Sequence, residues 1–292
     1  MPLNKNNIEL NNLRLNLVQA GNEDGELVIL LHGFPEFWYG WRHQIEPLAS
    51  AGFHVLAPDQ RGYNLSDKPR DIPSYTLEES ANDILGLINS AGRERATVVG
   101  HDWGGGVAWW LAANHPDRLE RVVIINMPHP MVIQHTLLRS PRQVLRSLYA
   151  AFFQIPRLPE AILRNNDWEL LVRNLHASSL PGTFSDDDIE HYRRAWWQEG
   201  AITGMLNWYR ANLYYPPSFP EEGKIKVPAL LIWGAQDVAL SRDMAQESAD
   251  MCIDGRLILF EEATHWVQHE KAEEVNALLI DFIRNQGSRD RS

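Results

Sequence analysis

Short apolar runs recur along this chain, and the stretches between them carry helical spacing. Residues 8–20 alternate apolar and polar positions, which predicts one or two antiparallel strands. Unbroken apolar runs follow at Leu27–Leu31, Val55–Ala57, Ala96–Val99, Val122–Ile125, Ala229–Trp233 and Leu257–Phe260. Strands of this kind alternating with helices predict an α/β class, a mostly parallel sheet with helices on both faces. The rhythm stops between Met127 and Lys224, where no strand-like run occurs. That stretch reads as helical. Ser185 with Asp188 three residues on predicts a capped helix start. Ile202, Met205, Leu206, Tyr209 and Leu213 fall on one apolar face, and Val144, Leu145, Leu148, Tyr149 and Phe152 on another. Pro216, Pro217 and Pro220 mark a loop back into the sheet. The expected organisation is a core from residues 1–129 and 223–292, with a helical cap over 130–222 inserted in it.

Composition narrows the partners. The chain has 292 residues, 44% of them hydrophobic, ample for one large domain with room for an insertion. Its net charge is −11 and no basic block stands out, which argues against a nucleic-acid partner. The N-terminal residues are polar and carry no apolar signal core, and no run approaches membrane-spanning length. No membrane partner is expected, and a cytoplasmic location is the default. Cys252 is the single cysteine, so no intrachain disulfide or cysteine metal cluster can form. The polar end from Gly287 to Ser292 is expected to fray. Monomer and homodimer stay equally open.

The candidate chemistry centres on Gly100-His101-Asp102-Trp103-Gly104. An apolar strand precedes it and a helix-competent run follows, so the pentapeptide reads as a nucleophile elbow with aspartate where serine would be expected. Serine at such a tip suits acyl transfer. A carboxylate suits attack on saturated carbon, giving an alkyl-enzyme ester. His265 follows the last apolar run and is placed to activate water, with His269 as its nearest rival. Asp237 follows the strand ending at Trp233 and would orient His265; the other slot for such an acid, Ile125-Asn126-Met127, holds no carboxylate. The order nucleophile, acid, base along the chain fits an α/β-hydrolase. His32-Gly33-Phe34-Pro35-Glu36 is the candidate oxyanion loop, with backbone N–H donors expected from Phe34 and Trp103 and a cis bond expected before Pro35. Phe34, Pro35, Trp103, Phe152 and Phe153 are expected to line an apolar pocket. Tyr149 and Tyr209 could donate protons to a leaving oxygen, but their helical spacing alone favours core tyrosines.

These motifs resemble one family, the soluble epoxide hydrolases of the α/β-hydrolase fold. The match runs through His32–Glu36, Asp59-Gln60-Arg61-Gly62-Tyr63 and Gly100–Gly105, in that order. It continues through Tyr149–Pro156 and Asn207-Trp208-Tyr209-Arg210, which are similar to the segments carrying the family's two cap tyrosines. The resemblance implies that Asp102 opens a small apolar epoxide while Tyr149 and Tyr209 hold its oxygen. His265 with Asp237 would then drive hydrolysis to a vicinal diol, with no metal or organic cofactor. Two departures stand out. Thr264 precedes the histidine where the family usually has glycine, and Ala272 stands where proline is common. A haloalkane dehalogenase shares the aspartate and a following Trp, but usually has asparagine where this chain has Phe34. A fluoroacetate-type dehalogenase usually has arginine where this chain has Trp103. A non-catalytic hydrolase fold used for ligand binding is the reading from a different class.

Overall fold

A computed structural model describes residues 3–220 and 224–284. Its backbone is an eight-stranded sheet in the order β1-β2-β4-β3-β5-β6-β7-β8. The strands are β1 (Asn4–Leu10), β2 (Leu13–Ala20), β3 (Leu27–Leu31), β4 (His54–Pro58), β5 (Ala96–His101), β6 (Leu119–Ile125), β7 (Ala229–Gly234) and β8 (Gly255–Phe260). β1 and β2 form an antiparallel hairpin, β2 pairs antiparallel with β4, and the strands from β4 to β8 run parallel. All six apolar runs are strands. β3 to β7 are buried almost throughout, as strands covered on both faces must be.

α1 (Arg42–Ser50), α2 (Leu77–Ser90) and α3 (Trp103–Asn114) lie between the early strands. Thr76 caps α2, accepting from the Glu79 N–H. Between β6 and β7 six helices replace the usual one: α4 (Pro130–Arg139), α5 (Pro141–Arg146), α6 (Leu148–Phe152), α7 (Leu158–Ser178), α8 (Asp186–Trp196) and α9 (Ala201–Tyr214). α10 (Asp243–Ala249), α11 (Val267–Glu270) and α12 (Ala272–Arg284) complete the chain. The expected downstream edge of the insertion at 222/223 and the end from Gly287 both fall outside the described residues, as do Met1 and Pro2. No helix among the described residues is long and apolar enough to cross a membrane.

Ser185 caps α8 in a reciprocal box with Asp188. α7 is broken: Asn166, Asp167 and Trp168 all have positive φ, at 49°, 55° and 66°. The break is held by the fully buried Trp168 ring beside Trp196 and by Asp167, which accepts from the Trp197 indole at 2.9 Å. The two apolar faces differ in cover. Ser147 separates α5 from α6, and Val144, Leu145 and Leu148 stay exposed, whereas the α9 face from Ile202 to Tyr209 is buried and only Leu213 is not. Periodicity reports an apolar stripe but not whether anything covers it.

The insertion is fastened to the sheet's loops. The Trp208 indole donates to the Arg61 carbonyl at 3.0 Å, and the Trp196 indole to the Pro35 carbonyl at 2.6 Å. Gly62, at φ 87°, meets the Gly204 backbone so closely that a Cβ on either would collide. Arg61 in turn is clamped by Asp83 with two bonds of 2.8 Å. The motif Asp59–Tyr63 thus sets where α9 sits over the carboxyl ends of the strands.

Candidate active site

Asp102 sits at the turn between β5 and α3 with φ 50° and ψ −123°. A non-glycine residue held there is strained, and the neighbours fix it. A Cβ on Gly100 would strike the Gly104 backbone, and one on Gly104 the Leu31 carbonyl, so only glycine lets β5, α3 and β3 approach this closely. The side chain is lifted over β3, where a Cβ on Gly33 would meet its carboxylate. Oδ1 accepts the Phe34 N–H at 2.9 Å. The other N–H expected from sequence belongs to Trp103, the first residue of α3, which has no acceptor within its helix. The helix terminus adds its partial positive charge at the same point. The Phe34–Pro35 bond is cis.

His265 faces Asp102 from the loop after β8, its Nε2 3.7 Å from Oδ2. Its Nδ1 lies 2.7 Å from Asp237 Oδ2. Asp237 is buried, and its carboxylate also accepts from the N–H groups of Ala239 and Leu240 and from the Asn126 amide, at 2.8, 2.9 and 2.8 Å. Burial opposes its charge, but His265 and these donors outweigh that and hold its pKa below the ordinary carboxylate value. Burial likewise disfavours a charged His265, yet Asp237 and then Asp102 push its pKa up to about 9. The structure therefore brings together all three residues singled out from chain order.

His269 lies elsewhere. Its Nε2 pairs with Glu36 at 2.8 Å, in a buried cluster where Glu36 also accepts from Tyr192 at 2.6 Å and Gln268 at 3.3 Å. His101 joins Glu36 at 3.3 Å and bonds the His265 carbonyl at 2.9 Å. Burial alone would raise the Glu36 pKa; His269 and His101 hold it well below the usual range. Sequence reasoning used this loop for its N–H groups and missed its carboxylate. It also missed Asn126, which occupies the alternative acid slot and braces Asp237 instead. Asn126 additionally accepts from the Gly234 N–H at 2.8 Å. An uncharged amide one residue past the end of β6 was the available signal.

Phe34, Pro35, Phe152 and Phe153 line a cavity of about 300 Å³ that opens over Asp102 and His265. Tyr149 and Tyr209 line it too, with rings 5.9 Å apart. Burial, followed by the Asp102 charge, raises the Tyr149 pKa; burial, then Tyr149 and Asp102, raises that of Tyr209. Both phenols stay protonated and both feel the carboxylate. Trp103 is a correction: its ring does not line the cavity. It stands edge-on to Tyr209, centroids 5.1 Å apart. α7 completes the wall with Leu171, Asn174 and Leu175.

Both departures have a structural place. The Thr264 hydroxyl donates to Glu270 Oε1 at 2.6 Å, and its N–H donates to Oε2 at 2.7 Å. The same carboxylate accepts the Leu180 N–H just beyond α7 at 2.8 Å, so Glu270 ties the histidine loop to the insertion. Ala272 opens α12, a first-turn position where proline is favoured but not required.

Residues 26–272 match the family model of the alpha/beta hydrolase fold. The chain is 36% identical to Epoxide hydrolase 4 of Mus musculus, across 95% of this chain and 78% of that protein. The chain belongs to the α/β-hydrolase-fold epoxide hydrolases. It is also 48% identical to the AB hydrolase superfamily protein YfhM of Bacillus subtilis, across 96% and 97% of the two chains. Among solved structures, the Bacillus megaterium epoxide hydrolase in complex with an inhibitor superposes with a TM-score of 0.87. That match has 31% identity over 96% of this chain and 100% of the other.

Proposed function

We propose that this enzyme converts small apolar epoxides to vicinal diols through a covalent ester on Asp102, with the inserted helices α4–α9 acting as the cap. The observation that carries this reading is an aspartate at the elbow tip beneath two protonated phenols in one cavity. Phe34 holds Oδ1, which leaves Oδ2 to attack. Oδ2 forms a bond to an epoxide carbon, the ring C–O bond breaks, and a phenolic proton from Tyr149 or Tyr209 passes to the freed oxygen. An alkoxide without such a donor is a poor leaving group.

Ester formation removes the Asp102 charge, one of those that, with Asp237 and Glu36, keep His265 protonated. The imidazolium then gives its proton up to restore the phenol, and neutral His265 becomes the base. It takes a proton from water as the water oxygen bonds to the ester carbon. The resulting oxyanion sits on Oδ1 against the N–H groups of Phe34 and Trp103, where such donors act most strongly. Collapse expels the diol oxygen, which takes the carboxyl proton, and returns Asp102 as carboxylate and His265 as imidazolium. The scheme needs no metal or organic cofactor. A dehalogenase would need its tryptophan N–H turned toward a halide in the cavity, and the Trp103 ring does not line it.

The test is a turnover panel of an aryl epoxide, a long-chain aliphatic epoxide, a bromoalkane and an aryl ester, scored for diol, halide and acid. Intact mass of His265→Gln with excess epoxide accompanies it. Diol from the epoxides and a mass increase equal to one epoxide are expected. Halide release without diol would make the enzyme a dehalogenase and return both tyrosines to a packing role.

A further inference from the structure

α4 to α6 and the first half of α7 carry an unusual surface. Leu138, Leu145 and Leu148 are 86%, 67% and 54% exposed, and Val144, Leu158 and Ile162 are exposed with them. Scattered exposed leucines need no explanation, but a run of them along consecutive short helices does. Residues 130–164 also hold five arginines, Arg139, Arg142, Arg146, Arg157 and Arg164, against one carboxylate, Glu160, in a chain whose net charge is −11. Glu160 is already bound to Arg210 at 2.8 Å. Arg139, Arg142, Arg157 and Arg164 are exposed and have no hydrogen-bond or ion-pair partner among the described residues. The arginines are spread between apolar residues, so no basic block is visible in the sequence.

We propose that this arginine-and-leucine face of the insertion docks on an anionic lipid surface. Exposed leucines beside arginines are what an interfacial helix presents: the apolar groups enter the acyl boundary and the guanidinium groups pair with phosphates. Charge complementarity selects this occupant. A two-fold contact between copies of this chain would bring the same unpaired arginines face to face. It would also lie beside the cavity mouth, because Tyr149 and Phe152, at the end of the same run, line the cavity. A lipid surface there is instead a reservoir of apolar epoxide, a consequence that rests on the proposed function while the docking itself does not. The expectation of no membrane partner came from the lack of a spanning run, and a surface contact needs none.

The test is co-sedimentation of the whole protein with phosphatidylcholine vesicles, with and without phosphatidylglycerol. Variants Arg139→Gln/Arg142→Gln and Leu138→Gln/Leu145→Gln are compared, with diol formation from a water-soluble epoxide and sedimentation velocity run on each. Binding only to phosphatidylglycerol vesicles is expected, weakening with salt. Each arginine removed should lower partitioning about fivefold, so the arginine pair loses about 25-fold, with turnover and fold unchanged. The leucine pair should also release the protein. No sedimentation with phosphatidylglycerol vesicles at low salt, or sedimentation unmoved by either pair, overturns the proposal. So does a wild-type dimer that the leucine pair splits without any vesicle binding, which would assign the face to a second copy.

Discussion

Replacing Asp237 by Asn keeps the shape of the acid and removes its charge. The structure sets the size of the effect. Asp237 is the main charge raising His265 against burial, from 6.5 to about 9. At about 1.4 kcal/mol per pH unit that is on the order of 3 kcal/mol favouring the imidazolium. Water activation creates this imidazolium, so the variant should lose most of that stabilisation in the hydrolytic step, a fall of about a hundredfold. Ring opening, which depends on Asp102 and the phenols, should be much less affected. Rapid quench and intact mass would then show the ester accumulating during turnover. Stability follows the same linkage. A histidine whose folded pKa is raised contributes stability that is complete below 6.5 and is lost as pH rises through about 9. The wild-type Tm should therefore fall across that window, and Asp237→Asn should flatten that part of the curve. An unchanged kcat, or a slowed alkylation with no accumulated ester, would refute the role assigned to Asp237.

Replacing Tyr149 and Tyr209 together by Phe should slow ring opening by about 10²–10⁴, the usual range for a general acid, with an unchanged Tm; unaltered single-turnover alkylation would remove the clamp from the scheme. Thr264→Ala removes one hydrogen bond to the Glu270 carboxylate and should lower stability by about 1.5 kcal/mol, read from the denaturant midpoint; an unmoved midpoint would mean the bond contributes nothing.

The sheet and the residues Asp102, Asp237 and His265 were legible because each lies on the loop or turn that follows a strand, and chain order fixes which strand ends converge. What depended on contacts between distant segments was not legible. Glu36, His101, His269 and Gln268 form their cluster from the loop after β3, the end of β5 and α11, and nothing in their local sequence indicates the meeting. Asn126 acts through Asp237, 111 positions away. The Trp103 side chain was placed in the pocket because its backbone belongs there, but the helix directs the ring toward Tyr209. The Val144–Leu148 stripe was read as an apolar face, such a stripe normally finds cover, and here none of the described elements supplies it.

The central claim is that oxygen reaches the product through Asp102. A single turnover in ¹⁸O-labelled water, with enzyme in excess over epoxide, tests it directly. The account predicts an unlabelled first diol and one ¹⁸O in the peptide containing Asp102. Label in the first diol with none in that peptide would mean that water attacks the epoxide directly, and the covalent scheme would be wrong.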